Sequence, residues 1–222
     1  MTLHEQIEVL ESMPLLGPSR EKALAKADLF SKQVDPEVEP RLTLRIIMIR
    51  LMADPMSTET LTQLPTAEAW ADDEGLTDIA TRLQLLWCWS IAKTHPDAVQ
   101  RDLLNQALKT AEDLPGLEVE QLLARASCEP EHTDTHLKDA LSKMTSPHFA
   151  SVKFQALIDL SSALTRGADI DGAHNALIDA LELAREFEDP AAQTDVLMRL
   201  AFQAIERGLT DNAQQLLEEA LR

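Results

Sequence analysis

Two stretches decide the reading of this chain: Gln155-Ala156-Leu157-Ile158-Asp159-Leu160 and Asp195-Val196-Leu197-Met198-Arg199-Leu200. An offset of 40 residues lays Leu157 on Leu197, Leu160 on Leu200, Ser161 on Ala201 and Leu164 on Ala204. The same offset lays Asp171 on Asp211, Ala173 on Ala213, Leu177 on Leu217 and Ala180-Leu181 on Ala220-Leu221. One offset that holds across two apolar segments and their connection marks an internal repeat. Leu197, Leu200, Ala201 and Ala204 stand at i, i+3, i+4 and i+7, a single stripe on a helix. Ala213, Leu217 and Ala220 make a second stripe, and the alanines let two backbones approach closely. Gly208 between the stripes supplies the positive φ common just past a helix C-terminus. Asp211, with Gln214 three residues later, is placed to cap the next helix. The expected unit is a helical hairpin whose exposed apolar face only a neighbouring hairpin can cover.

Working outward, the pattern weakens. Trp87-Cys88, Ile91, Leu104 and Ala107 suggest a third hairpin, with Gln100 where a small residue belongs. Residues 116–145 read as a degenerate unit ending in Leu137-Lys138-Asp139-Ala140-Leu141. The N-terminal part predicts helices over 2–12, 19–33, 37–53, 57–64 and 75–94, with Thr66–Gly75 as an irregular crossover. Asp35-Pro36, Asp54-Pro55, Ser146-Pro147 and Asp189-Pro190 each set a capping side chain before a proline at a helix start. No Gly/Ser- or Pro-rich linker divides the chain. The expectation is a single domain over 1–222: an irregular helical part over 1–75, degenerate hairpins over 76–145 and two clear repeats over 147–222.

Composition agrees with an all-α class. Hydrophobic residues make up 45% of the chain, too many for a disordered one. Leu and Ala dominate that share, Tyr is absent and Gly numbers 6, poor stock for strands and hairpin turns. Formal net charge is −18, and every segment is acidic; residues 146–222 hold 6 Lys/Arg against 13 Asp/Glu. Such a surface repels phosphate backbones, so no nucleic-acid partner is expected. The longest apolar run falls short of the ~20 residues of a membrane span, and the N-terminus lacks a signal pattern. No membrane association and a cytoplasmic location are the expectation.

The spacing of these small and apolar positions resembles the tetratricopeptide-repeat family. Leu197, Leu200-Ala201, Ala204, Gly208, Ala213, Leu217 and Ala220 fill the family's slots in one unit. Leu157, Leu160-Ser161, Leu164, Ala168, Ala173, Leu177 and Ala180 fill them in the preceding one. The unit is longer than the family's usual ~34 residues, and both first helices lack the family's large aromatic. The resemblance implies a right-handed α-α superhelix whose first helices line a concave groove for an extended peptide or partner helix. The groove positions it implies are Gln155, Ile158, Ser162, Thr165 and Arg166, then Asp195, Met198, Phe202 and Ile205, with Arg82, Leu85, Trp89 and Lys93 from the weaker unit. The family's carboxylate clamp of Lys, Asn and Arg is missing.

Chemistry-bearing constellations are sparse. Cys128, His132 and His136 stand at i, i+4 and i+8, but Pro130 interrupts a continuous helix, so no metal site is expected. Carboxylate runs such as Asp72-Asp73-Glu74 read as solvated helix ends, and no phosphate loop, nucleophile elbow or zincin motif occurs. No catalytic residue and no cofactor is therefore assigned. The expected function is a non-enzymatic adaptor or scaffold that binds a protein or peptide in its groove. Two alternatives stay open: an acidic regulator that sequesters a basic protein or mimics nucleic acid, and a helical enzyme or metal protein. The open edge at Leu216, Leu217, Ala220 and Leu221 offers a surface for homodimer contact.

Overall fold

The computed structural model describes residues 2–94 and 101–221, so Gln100 lies outside the described residues. These residues form twelve α-helices and no strand: α1 Leu3–Glu11, α2 Pro18–Ser31, α3 Pro40–Ala53, α4 Thr58–Asp73, α5 Thr77–Thr94, α6 Arg101–Glu112, α7 Glu118–Cys128, α8 Thr133–Lys143, α9 Ala150–Arg166, α10 Ile170–Glu186, α11 Pro190–Glu206 and α12 Thr210–Ala220. Among the described residues no helix is long and apolar enough to cross a membrane.

From α2 onward successive helices pack side by side along the chain, α1 packs on α3, and α5 also packs directly on α7 with α6 beside both. α3 buries Leu42, Leu44, Ile46, Ile49, Leu51, Met52 and Ala53, too wide an apolar girdle for a surface helix. It is surrounded accordingly, by α1, α2, α4 and α9. Its contact with α9 brings the N-terminal helices onto the C-terminal ones, where the Ser151 hydroxyl donates to the Ala53 carbonyl at 2.9 Å in a buried position.

The C-terminal third is more regular than its sequence. Helices α9, α10 and α11 are each 17 residues long. Each is followed by one residue in the left-handed region: Ala168 (φ 61°), Glu188 (φ 52°) and Gly208 (φ 73°). The next N–H then donates back across the turn, Asp169 to Leu164 O at 2.9 Å, Asp189 to Ala184 O at 2.9 Å and Leu209 to Ala204 O at 2.8 Å. These bonds satisfy carbonyls that a helix end leaves bare. The same turn geometry thus recurs at 168, 188 and 208, half the 40-residue offset of the side-chain pattern.

Several boundaries differ from the sequence expectation. Thr66–Gly75 is not an irregular crossover: α4 runs on to Asp73, because Ala67 and Ala71 are buried and Trp70 packs beside them on the core. Only then does Gly75 (φ 71°) turn the chain, with Leu76 N donating to Ala71 O at 2.8 Å. Asp35-Pro36 begins a turn instead of a helix, Asp54-Pro55 follows the end of α3, and Ser146-Pro147 opens only a short 3-10 turn. Asp189-Pro190 does cap α11, with Asp189 Oδ1 accepting from Ala192 N at 3.0 Å. Asp211 does not cap α12. The helix begins two residues earlier than such a cap requires, so Leu209 occupies the cap position with no side-chain oxygen to offer, and Asp211 sits within the first turn.

Candidate functional site

The groove positions implied by the sequence fall into three environments. On α5, Leu85 is fully buried among Cys88, Leu104, Ala107 and Ala124 and offers no surface to a partner. Arg82 turns to a different cavity, where its Nε lies 3.1 Å from Glu120 Oε1 and its guanidinium donates to Gly116 O at 3.0 Å. The side chain of Lys93 lies outside the described residues. On α9, Ile158 is buried at 4% exposure.

A second group meets in a cleft of about 370 Å³ between α5, α7, α8 and α9, walled by Trp89, Thr133, Asp159, Ser162 and Arg166. Its floor is a fixed polar junction. Trp89 is almost wholly buried, and its indole N–H donates to Asp159 Oδ2 at 3.2 Å. Gln155 Nε2 donates to Asp159 Oδ1 at 3.0 Å, so Asp159 ties α5 to α9 and holds Gln155 against its own helix. A buried indole N–H needs such an acceptor. Ser162 and Arg166 stand exposed one and two turns further along α9.

The third group lies bare on α11. Met198 is 43% exposed, Phe202 62% and Ile205 50%, with Leu209 at 47% just past the helix end. The opposite side of the same helix buries Val196, Leu197, Leu200, Ala201 and Ala204. Asp195 N-terminal to the stripe accepts from Arg199 Nε at 3.0 Å, an exposed pair one turn apart. Beyond α11, Leu217 is 40% exposed and Leu221 88%, while Leu216 and Ala220 are half-buried against the α9–α11 core.

One contact between the N-terminal part and the C-terminal helices was missed by sequence reading. The loop Pro14–Gly17 between α1 and α2 reaches the α10–α11 turn. Leu16 enters the apolar cluster of Leu157, Ile158, Leu177, Leu181 and Val196, while its neighbour Leu15 joins the N-terminal core. Gly17 N donates to Asp189 Oδ2 at 3.0 Å, and Arg20 lies 3.6 Å from the same oxygen. Asp189 is 2% exposed, so its charge is carried by the α11 N-terminal N–H, the Gly17 N–H and the Arg20 guanidinium together. Gly17 has φ 62° and ψ −148°, a conformation open essentially to glycine alone, and a Cβ there would collide with the Phe187 carbonyl. The one sequence signal was Leu15-Leu16-Gly17-Pro18, two large apolar residues beside turn residues.

Among the described residues no three His, Cys, Asp or Glu side chains gather where they could hold a metal. Of the Cys128, His132 and His136 trio, His136 Nε2 lies 2.8 Å from Glu129 Oε2 and its ring meets His132 edge-on, while burial pushes the Cys128 thiol up from its ordinary value. No protein-family model matches the chain, and no curated protein matches it.

Proposed function

We propose that this chain is a non-enzymatic protein-interaction module: a short α-solenoid of tetratricopeptide-like hairpins that receives an amphipathic segment along α9 and α11. The observation that carries this reading is the exposed seam Met198, Phe202, Ile205 and Leu209. Met198, Phe202 and Ile205 stand at i, i+4 and i+7, one line on a helix whose other side is already buried, and Leu209 is exposed just past its end. Single exposed apolar residues are ordinary, but a contiguous line of large ones marks an interaction surface. Apolar anchors at this spacing suit the apolar face of a partner helix. Met198 and Phe202 add adaptable and aromatic contact. The three equal turns, each with one left-handed residue and the same back-donated bond, support the solenoid reading, because equal turns carry equal hairpins forward. The excess of carboxylates over residues 146–222 favours basic residues on the partner's flanks.

The net charge of −18 also favours a second reading, in which the acidic surface itself sequesters a basic protein. Capture from a cell extract on wild-type chain and on Met198→Ala/Phe202→Ala, at about 0.1 and 0.5 M salt, separates the two. Groove binding predicts a partner retained at the higher salt and lost from the double variant. A partner that the variant keeps and that salt releases would sink the groove reading in favour of the charge-driven one.

A further inference from the structure

A cavity of about 430 Å³ opens between α1, α3, α5 and α7, on a different part of the molecule from the exposed seam of α11. Its walls are largely apolar, formed by Leu15, Met48, Ile49, Met52 and Phe149. Into this wall the fold sets one carboxyl group. Glu120 stands on the buried stripe of α7 with Leu117 and Ala124, at positions i, i+3 and i+7, and is 3% exposed. Arg82, anchored to Gly116 O, lies against Glu120 Oε1, but Oε2 is buried without a hydrogen-bond partner among the described residues. A bare buried carboxylate oxygen forfeits the hydration it had in water, and native folds seldom leave such an atom unsatisfied.

The surrounding charges decide what would complete it. Glu11, also on the wall, is already held by Arg45, whose Nε and guanidinium reach its two oxygens at 2.7 and 2.6 Å. His148 is engaged through Nδ1 with Ser146 Oγ at 2.7 Å, and burial, then Arg82, pushes its pKa below the ordinary value, which keeps the ring neutral. Desolvation pushes the Glu120 carboxyl up in spite of the opposing pull of Arg82, so one guanidinium does not fully compensate the buried charge. With Glu11 paired to Arg45, Glu120 Oε2 is the carboxylate oxygen on the walls that no cation reaches. A positive donor supplies both missing elements at once, a hydrogen bond to Oε2 and a compensating charge. Phe149 and the unbranched, yielding side chains of Met48 and Met52 suit an apolar body of variable shape and let a donor reach the covered oxygen. The volume lies in the range of small-molecule sites.

We propose that this cavity is a binding site for a small organic amine, its ammonium group on Glu120 Oε2 and its apolar body against Met48, Met52 and Phe149. The probes are benzylamine, benzyl alcohol and benzoate, which share one body and differ in the charge of the head. They are titrated into the full chain carrying 13C-methyl methionine. Benzylamine is expected to shift the Met48 and Met52 methyl signals and leave that of Met198 in place, with benzyl alcohol binding more weakly and benzoate not at all. Glu120→Gln keeps the shape and removes the charge; it is expected to weaken benzylamine about tenfold or more while leaving benzyl alcohol within about twofold. No shift at Met48 and Met52 up to about 10 mM benzylamine, or equal binding of all three probes, overturns the proposal. So does an affinity for benzylamine unchanged in a folded Glu120→Gln. Should that variant not fold, the ranking of the three probes on the wild-type chain decides. A shift confined to Met198 places the amine on the α11 seam and also overturns the site, without bearing on the protein-binding reading.

Discussion

The hairpins α9–α10 and α11–α12 have like turns and like apolar patterns, yet one is covered and the other is not. Ile158 on α9 is 4% exposed, while Met198, its counterpart 40 residues on, is 43% exposed. The first hairpin has α8 and α3 packed on α9, and the N-terminal loop adds Leu16 to the cluster that α9 and α10 share with α11, with Gly17 clasped by Asp189. Equal hairpins make equal demands for burial, and the chain itself meets only the first of them. The free energy of burying one side chain such as Leu16, about 1.5–3 kcal/mol, is also the scale of what a partner gains at each anchor it places on α11. The second hairpin differs in one more respect: its last helix is 11 residues long and lacks a side-chain cap.

The sharpest way to break this comparison is to detach the loop. Gly17→Ala forces a Cβ into the Phe187 carbonyl and a side chain into a backbone region closed to it. We expect a loss of about 3 kcal/mol or more in urea unfolding, with faster amide exchange at residue 17 and its neighbours. A variant within about 0.5 kcal/mol of wild type would show that the loop is not docked on the α10–α11 turn, and the burial of the first hairpin would then rest on α8 and α3 alone.

Next in size is a paired truncation of the counterparts themselves. Ile158→Ala opens a void in a packed cluster and should cost about 2–3 kcal/mol. Met198→Ala removes a side chain already half in water and should cost no more than about 1 kcal/mol. Equal costs in the two variants would mean α11 is covered in solution, by a second copy or otherwise, and a concentration-dependent unfolding midpoint would point to the second copy.

How much of this was legible beforehand follows from the range of the forces involved. The stripes Leu157-Leu160-Leu164 and Leu197-Leu200-Ala204, and the turn at Gly208, are local patterns, and α9 to α12 fall where they point. The helical extension through Ala67 and Ala71 was hidden, because the polar run Asp72-Asp73-Glu74 outweighs two small alanines until the core they touch is known. Of the groove, Met198 and Phe202 are exposed where expected, but Leu85 and Ile158 face inward, and Trp89 ends in a bond to Asp159. Period alone tells which residues share a stripe, not which distant segments pack on it; Leu16 joins the cluster of Leu157 and Ile158, and Gly17 meets Asp189, 172 residues on. Glu120 did leave a local trace, a carboxylate on the stripe Leu117, Glu120, Ala124, where an apolar residue belongs.

Smaller effects sharpen the comparison at the turns. Asp169 and Asp189 cap their helices, accepting from Gly172 N at 2.9 Å and Ala192 N at 3.0 Å, and Leu209 holds the corresponding place before α12. Leu209→Asp supplies the missing acceptor and should stabilise the chain by about 1 kcal/mol, with the gain concentrated in exchange protection of the first turn of α12. No gain there would mean that α12 is held by its packing on α11 alone, and that the uncapped end costs nothing.

The smallest expected effect separates backbone from side chain in the repeat. Ala168 and Gly208 occupy the same left-handed position of two like turns, at φ 61° and 73°. Alanine is strained there and glycine is not, but glycine also loses more freedom on folding. The balance favours Ala168→Gly by about 0.5 kcal/mol, and Gly208→Ala should cost about as much, because a Cβ at Gly208 would meet no atom within 4 Å. The two changes should therefore nearly cancel when combined, since the ion pair that links the two turns, Arg207 with Asp171 at 3.8 Å, is exposed and couples them weakly. A cost of several kcal/mol for Gly208→Ala alone would place another surface against that turn, and the second hairpin would not be open there after all.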